Sequence, residues 1–155
     1  MSQIAKMLRL DEGFKEKPYI DSLGYPTIGI GQRIGPKNAL LSNYQFTISK
    51  NVADVWMQEI ALEYMGKLKN DSRINAALVK CNQARQDALL NMAYQMGVSG
   101  LSGFRNMLVL ISNGDFGKAS AEALNSLWAR QTPQRAKRIS DVIRTGDYSS
   151  YEKLW

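Results

Sequence analysis

Histidine is absent from the 155 residues, and cysteine occurs once, at Cys81. Without imidazole there is no Ser-His-Asp triad, no Cys-His dyad and no His-ligated zinc. Any acid–base chemistry falls to carboxylates, lysine, tyrosine or the lone thiol, and no cofactor or metal is expected. One cysteine closes no internal disulfide, so the fold does not depend on an oxidising compartment. Long hydrophobic runs are missing too. The longest uncharged stretch, Ala88 to Phe104, contains Asn91, Gln95, two serines and three glycines, too polar to span a bilayer. Met1 to Arg9 lacks the continuous apolar core of a secretory signal, so synthesis in the cytoplasm without stable membrane insertion is expected. No repeat, low-complexity tract or Pro/Gly/Ser linker divides the chain, which reads as one domain over 1–155.

What is present is globular in composition: 45% apolar and 22% charged. A chain of this length buries roughly 70% of its unfolded surface, enough for a core without staples. Twenty Lys and Arg against 14 Asp and Glu give a net charge of +6, which favours anionic partners: nucleic acid, anionic lipid or a polyanionic cell wall. The excess is uneven. Residues 129–155 carry six basic and three acidic side chains, whereas residues 1–32 carry four of each.

The pattern changes near residue 50. Ile4, Met7 and Leu8 mark one face of a short helix stopped by Gly13. Strand-like material follows: Pro18 to Asp21, a Ser22-Leu23-Gly24 turn, then Tyr25 to Gly31 alternating with period two. That alternation sets Ile28 and Ile30 on one face, with Thr27, Gly29, Gly31 and Arg33 on the other. Glycines there weaken a strand, and close approach of a ligand is one reason to keep them. From Ser49 onward the signals are helical: a long helix to about Lys69, starts at Asp71 or Ser72 and at Asn82, and stops at Gly97 and Gly114. Asp115 is expected to cap a segment reaching Arg130, Thr132-Pro133 to start another helix, Gly146 to end it, and Ser149 or Ser150 to cap a last turn. The expected fold class is α+β, mainly α. A small β-containing lobe over 13–49 and a connecting helix over 50–69 precede a helical lobe formed by 70–155 with 1–12.

Two charges sit at unfavourable helix ends. Asp11 and Glu12 fall in the last turn of the first helix, facing the negative end of its dipole at roughly 0.3–1 kcal/mol each. Arg135 is a cation in the first turn of the Thr132-Pro133 helix, where anions are preferred. Misplaced charges are usually solvated surface residues, but opposite ones also face each other across sites. A helix C-terminus disfavours the charged carboxylate, the bias a proton donor needs, and a neighbouring arginine acts the other way.

Glu12-Gly13, Tyr19-Ile20-Asp21 and Gly24-Tyr25-Pro26-Thr27-Ile28-Gly29-Ile30-Gly31 together resemble the active-site stretch of the phage-type lysozymes, the T-even endolysins of glycoside hydrolase family 24. Asn91-Met92, Gln95-Met96-Gly97, Gly100, Gly103-Phe104, Asn106, Trp128, Gln131 to Arg138, Thr145-Gly146 and Tyr151 continue the likeness in order. The resemblance is good over 7–34 and 84–155, thinner across 47–70 and poor around 35–46. It implies a lysozyme-like fold and a muramidase that cleaves the β-1,4 bond between N-acetylmuramic acid and N-acetylglucosamine in peptidoglycan. The implied roles are Glu12 as general acid, with Asp21 and the Thr27 hydroxyl holding the attacking water. The family inverts configuration, for which carboxyl groups stand roughly 6.5–9.5 Å apart. Gly31, Arg33 and Tyr94 become substrate-binding candidates, and Arg135 and Gln95 supporting ones, with Trp128 beside the latter. Arg33 reads equally as a solvated strand end, Tyr94 as core and Cys81 as an inert small residue.

The sequence also departs from the family. Gln32 stands where the T-even pattern has histidine, so altered local stability or pH response with retained chemistry is expected. Pro26 replaces an aromatic residue, and the segment after Arg33 is shorter. The implied protein is a monomeric endolysin made in a host cytoplasm. It reaches the periplasmic cell wall with a membrane-disrupting partner such as a holin, and binds peptidoglycan glycan strands rather than nucleic acid. A lytic transglycosylase on the same fold is the enzymatic alternative. A non-catalytic cell-wall or nucleic-acid module, suggested by Arg135, Lys137, Arg138 and Arg144, is the other.

Overall fold

The computed structural model describes all of residues 1–155. It is mainly helical with one small antiparallel sheet, the α+β lysozyme-like class expected from the sequence. By its contacts the chain separates into two units. One spans Ala5–Ile60 and the other Ala61–Trp155 together with Met1–Ile4. Both unit boundaries fall inside helices, within α1 (Ile4–Glu12) and within α2 (Lys50–Asn70).

In the β-bearing unit, α1 stops where expected. Gly13 takes φ +83°, a conformation L side chains resist, and donates its N–H to the Arg9 carbonyl at 3.0 Å. Three strands follow: β1 (Lys15–Ile20), β2 (Pro26–Gly29) and β3 (Gln32–Arg33), in that spatial order. The continuous alternating strand expected over 25–31 is corrected by this arrangement. The chain reverses at Ile30-Gly31, and Thr27 pairs with Arg33 while Ile28 pairs with Gln32. The glycines serve the reversal. Gly29 and Gly31 have φ +69° and +83°, and a Cβ on Gly29 would run into the Gln32 amide oxygen. Thr27 and Arg33 thus share a face as cross-strand partners.

Gln32 is buried, at 2% exposure. Its Oε1 accepts from the Ile30 N–H and its Nε2 donates to the Ala53 carbonyl at 3.1 Å, tying the hairpin turn to the start of α2. A short 3-10 turn (Leu41–Asn43) precedes α2, whose Val52 N–H bonds to the Ser49 hydroxyl, the expected cap. An ion pair joins Arg9 on α1 to Asp54 on α2. Ala5, Met7, Leu8, Ile28, Ile30, Ala53 and Met57 form this unit's buried apolar set.

The helical unit is built from α3 (Ser72–Leu78), α4 (Gln83–Ser102), α5 (Arg105–Ser112), α6 (Phe116–Leu124), α7 (Leu127–Gln131), α8 (Pro133–Thr145) and α9 (Ser149–Glu152). Asp71 and Asn82 cap α3 and α4 through their side chains, as expected. Three start and stop signals are corrected. Gly97 does not end a helix but breaks it, at φ 82° and ψ 164°, and helical turns resume to Ser102. The segment after Asp115 is two helices, the second capped by Ser126, and the Asp115 side chain caps nothing. Thr132 makes no side-chain cap; its hydroxyl instead donates to the Trp128 carbonyl at 3.1 Å. Gly146 closes α8 in the left-handed conformation. The core runs through Ile74, Leu89, Met92, Leu101, Met107, Ile111, Ile139, Val142, Ile143 and Tyr151. No helix is long and apolar enough to cross a membrane.

Candidate active site

Glu12 and Asp21 come from the ends of two different elements in the β-bearing unit. Glu12 is the last residue of α1 and is exposed. Asp21 follows β1 and folds the next turn around its own carboxylate. Its Oδ1 accepts the Leu23 and Tyr25 N–H groups, each at 2.9 Å, and Gly24 supplies the positive φ that lets the chain turn. Its Oδ2 faces the Arg33 Nε at 3.4 Å. The Tyr25 amide bond is the largest influence holding the Asp21 carboxyl below its ordinary range, ahead of the Leu23 amide and the Arg33 charge.

Thr27 lies at the centre of a three-residue row. Register sets Tyr19 opposite Thr27 on one side and Arg33 opposite it on the other. Its hydroxyl donates to the Tyr25 carbonyl at 2.8 Å, so only its acceptor lone pairs remain for another ligand. Tyr19 registers both carboxylates. Burial, then the charge of Asp21, then that of Glu12 raise its hydroxyl above the usual tyrosine range. The sequence reading quoted Tyr19 beside Asp21 but gave it no role, because its place opposite Thr27 depends on hairpin register. Gly31 is an exposed turn residue. Arg33, a substrate-binding candidate from its place on the Thr27 face, is already engaged twice: at Asp21, and over the Tyr25 ring with its guanidinium carbon 3.8 Å from the centroid.

The remaining candidates belong to the helical unit. Tyr94 meets Tyr64 with ring centroids 5.9 Å apart. Gln95 accepts the Trp128 indole N–H at 2.8 Å, and Trp128 stands edge-on to Phe104. Both residues thereby read as support. Arg135 is buried at 8% exposure and grips Asn91, with Nη2 2.7 Å and Nε 3.0 Å from its side-chain oxygen. A cation in the first turn of α8 thus bonds an amide of α4 inside the same unit. Phe104, Trp128, Arg105, Asn106 and Glu122 line a groove of about 520 Å³ on this unit.

The family model for phage lysozyme matches residues 10–141. The chain belongs to the phage lysozyme family. The pre-baseplate central spike protein Gp5 of Enterobacteria phage T4 is 37% identical over 96% of this chain, which spans 28% of that protein's length. A probable T4-type lysozyme 2 of Dictyostelium discoideum is 30% identical over 98% of this chain and 99% of its own length. A peptidoglycan hydrolase, gp36 of Pseudomonas phage phiKMV, is 30% identical over 85% of this chain and 14% of its length. The match to the family begins two residues before Glu12 and covers the whole Asp21–Thr27–Arg33 arrangement.

Proposed function

We propose that this chain is a muramidase that hydrolyses the β-1,4 bond between N-acetylmuramic acid and N-acetylglucosamine in peptidoglycan. Glu12 protonates the leaving oxygen. Asp21, kept anionic by two backbone amides and Arg33, stabilises positive charge at the anomeric carbon. The attacking water donates its hydrogens to the Asp21 carboxylate and to Thr27 Oγ1, whose own hydrogen is committed to the Tyr25 carbonyl. Both hydrogens being held, a lone pair of the water is left to point at carbon, and as the new C–O bond forms and the glycosidic bond breaks, one water proton passes to the Asp21 carboxylate. Attack through a water, rather than by Asp21 itself, inverts configuration.

The observation that carries this reading is the Asp21 carboxylate folded into its own turn, where the Tyr25 carbonyl takes both the Asp21 N–H and the Thr27 hydroxyl, in a chain of the phage lysozyme family. The peptidoglycan hydrolase among its relatives supports the substrate. The net charge of +6 suits an anionic wall and speeds encounter at low ionic strength. Release to the wall through a membrane opened by a holin belongs to the same proposal.

Loss of turbidity of permeabilised Gram-negative cells tests it. Glu12→Gln is expected to lower the rate by about 10²–10⁴-fold, with the thermal midpoint little changed. Mass spectrometry of released muropeptides should show reducing ends. A 1,6-anhydro product, lighter by one water, would replace hydrolysis by transglycosylation, and undiminished lysis by Glu12→Gln would remove the acid assignment.

A further inference from the structure

Arg33 is the residue whose surroundings a glycan-binding role does not explain. A cation that grips glycan needs a face turned to the ligand and freedom to reach it. Arg33 instead lies beside Asp21 with its Nε 3.4 Å from Oδ2, while its guanidinium plane covers the Tyr25 ring at 3.8 Å. Tyr25 is also the residue whose N–H holds the other Asp21 oxygen and whose carbonyl takes the Thr27 hydrogen. One tyrosine therefore braces the arginine, the aspartate and the threonine together. The cross-strand pairing of Arg33 with Thr27 fixes the arginine backbone in that place.

We propose that Arg33 is a positioning residue for Asp21: braced by Tyr25, it fixes the carboxylate's orientation and charge and acts on the reaction through it, not by gripping the sugar. This inference rests on the function proposed above. The physical case is one of complementary restraints. The two amides anchor Oδ1, about which Oδ2 can still swing by coupled changes of χ1 and χ2, and a cation on Oδ2 opposes that swing. A guanidinium suits the task because its flat face stacks on an aromatic ring while its edge meets an oxygen, which an ammonium cannot do. The charge matters as well. Of the groups facing Asp21 within this unit, Tyr19 on β1 shares its field with Glu12 at the end of α1, and Arg33 on β3 supplies the cation. The carboxyl therefore stays ionised at acidity where an ordinary one is neutral. Removing the cation moves its titration upward, though the Tyr25 and Leu23 amides keep it below an unassisted carboxyl.

The test is steady-state hydrolysis of purified peptidoglycan by wild type, Arg33→Ala, Arg33→Lys, Tyr25→Leu and Asp21→Asn, each checked for a native thermal melt. Arg33→Ala is expected to lower kcat about tenfold, with KM changed less than about twofold. Its acid limb should also shift to higher pH. Arg33→Lys should restore the acid limb and only part of kcat, and Tyr25→Leu should repeat the kcat loss in weaker form. A raised KM with unchanged kcat in Arg33→Ala would overturn the proposal in favour of glycan binding. Unchanged kcat and acid limb would reduce Arg33 to a solvated strand end. Asp21→Asn separates the two levels of argument. If it is inactive while Arg33→Ala is normal, only this inference fails; if it remains active, the proposed function fails first.

Discussion

Asp21 and Asp87 are both aspartates held by several donors, one in each unit, and they are built for opposite ends. Asp21 keeps a fifth of its side chain in solvent, takes two backbone amides from its own turn and has a cation beside it. Asp87 is 1% exposed and accepts from the Ser2 hydroxyl, the Gln3 N–H, the Gln83 amide and the Tyr148 hydroxyl, at 2.6–3.0 Å. It draws both ends of the chain onto α4. The surroundings repeat the contrast. Residues 5–60 carry seven basic and six acidic side chains, and the other unit thirteen and eight. The near-neutral unit holds the candidate chemistry on turns and short strands, and the basic one holds most of the core. Solvent access, more than the number of bonds, separates a carboxylate that can act from one that ties a fold together.

The sharpest way to break that contrast is to substitute both residues. Asp21→Asn is expected to lower turnover about 10²–10⁴-fold and to leave the melting midpoint within a few degrees. Asp87→Ala is expected to do the reverse. Four donors lose their acceptor, some regain water, and a net loss of about 3 kcal/mol follows. That corresponds to a midpoint lower by about 6–12 °C for a chain of this size, with turnover per folded molecule unchanged. An Asp87→Ala protein that melts normally but has lost its activity would mean the two aspartates do not divide the work in this way.

How far the sequence foresees each aspartate has a physical reason. Asp21 and its turn are local: an aspartate two residues before Leu23 and four before Tyr25 reaches both amides in any chain that turns at Gly24. The same locality makes the caps at Ser49, Asp71 and Asn82 and the stops at Gly13 and Gly146 legible. Asp87 gives no signal, because Ser2 and Tyr148 lie far from it along the chain. The hairpin at Ile30-Gly31 was hidden for another reason. Period-two alternation is the same whether a strand continues or turns back at glycines, so Thr27 and Arg33 share a face under either reading. The Thr132 side chain bonds back to the Trp128 carbonyl of the preceding helix and takes no amide of α8, a local alternative that the Thr-Pro signal does not reveal.

Gln32 sharpens the comparison inside the β-bearing unit. Gln32→Leu keeps the volume and removes both bonds, leaving the Ile30 N–H and the Ala53 carbonyl without their amide partner. A cost of about 2 kcal/mol is expected. Because an amide does not titrate, the loss should be equal at pH 5 and pH 8, measured by thermal melts at both. A pH-dependent difference would mean that another, titrating group governs this corner.

Tyr148 offers a smaller effect in the helical unit, visible in alkali. Burial first, and then its bond to Asp87, raise its hydroxyl above the ordinary value of 10.0. The folded chain therefore keeps a proton that the unfolded chain sheds. Its contribution is complete below about pH 10 and declines as pH rises beyond it. Tyr148→Phe should cost about 1–2 kcal/mol at neutral pH and flatten the alkaline fall in stability. An equally steep fall in the variant would assign that limb to other groups, Tyr19 among them.

Cys81 should matter least. It lies between α3 and α4, where burial pushes its thiol up to about 11 against the nearby positive charge of Arg85. At pH 8 about one such thiol in a thousand is ionised, against about one in ten at the ordinary value of 9.0. Alkylation by iodoacetamide should therefore be about 100-fold slower than for an unburied cysteine, and Cys81→Ser should leave turnover unchanged. The rate tests more than the thiol. Only opening of the α3–α4 connection would let Cys81 react at an ordinary speed. The helical unit would then yield at the junction next to α4, the helix on which Asp87 gathers both chain ends.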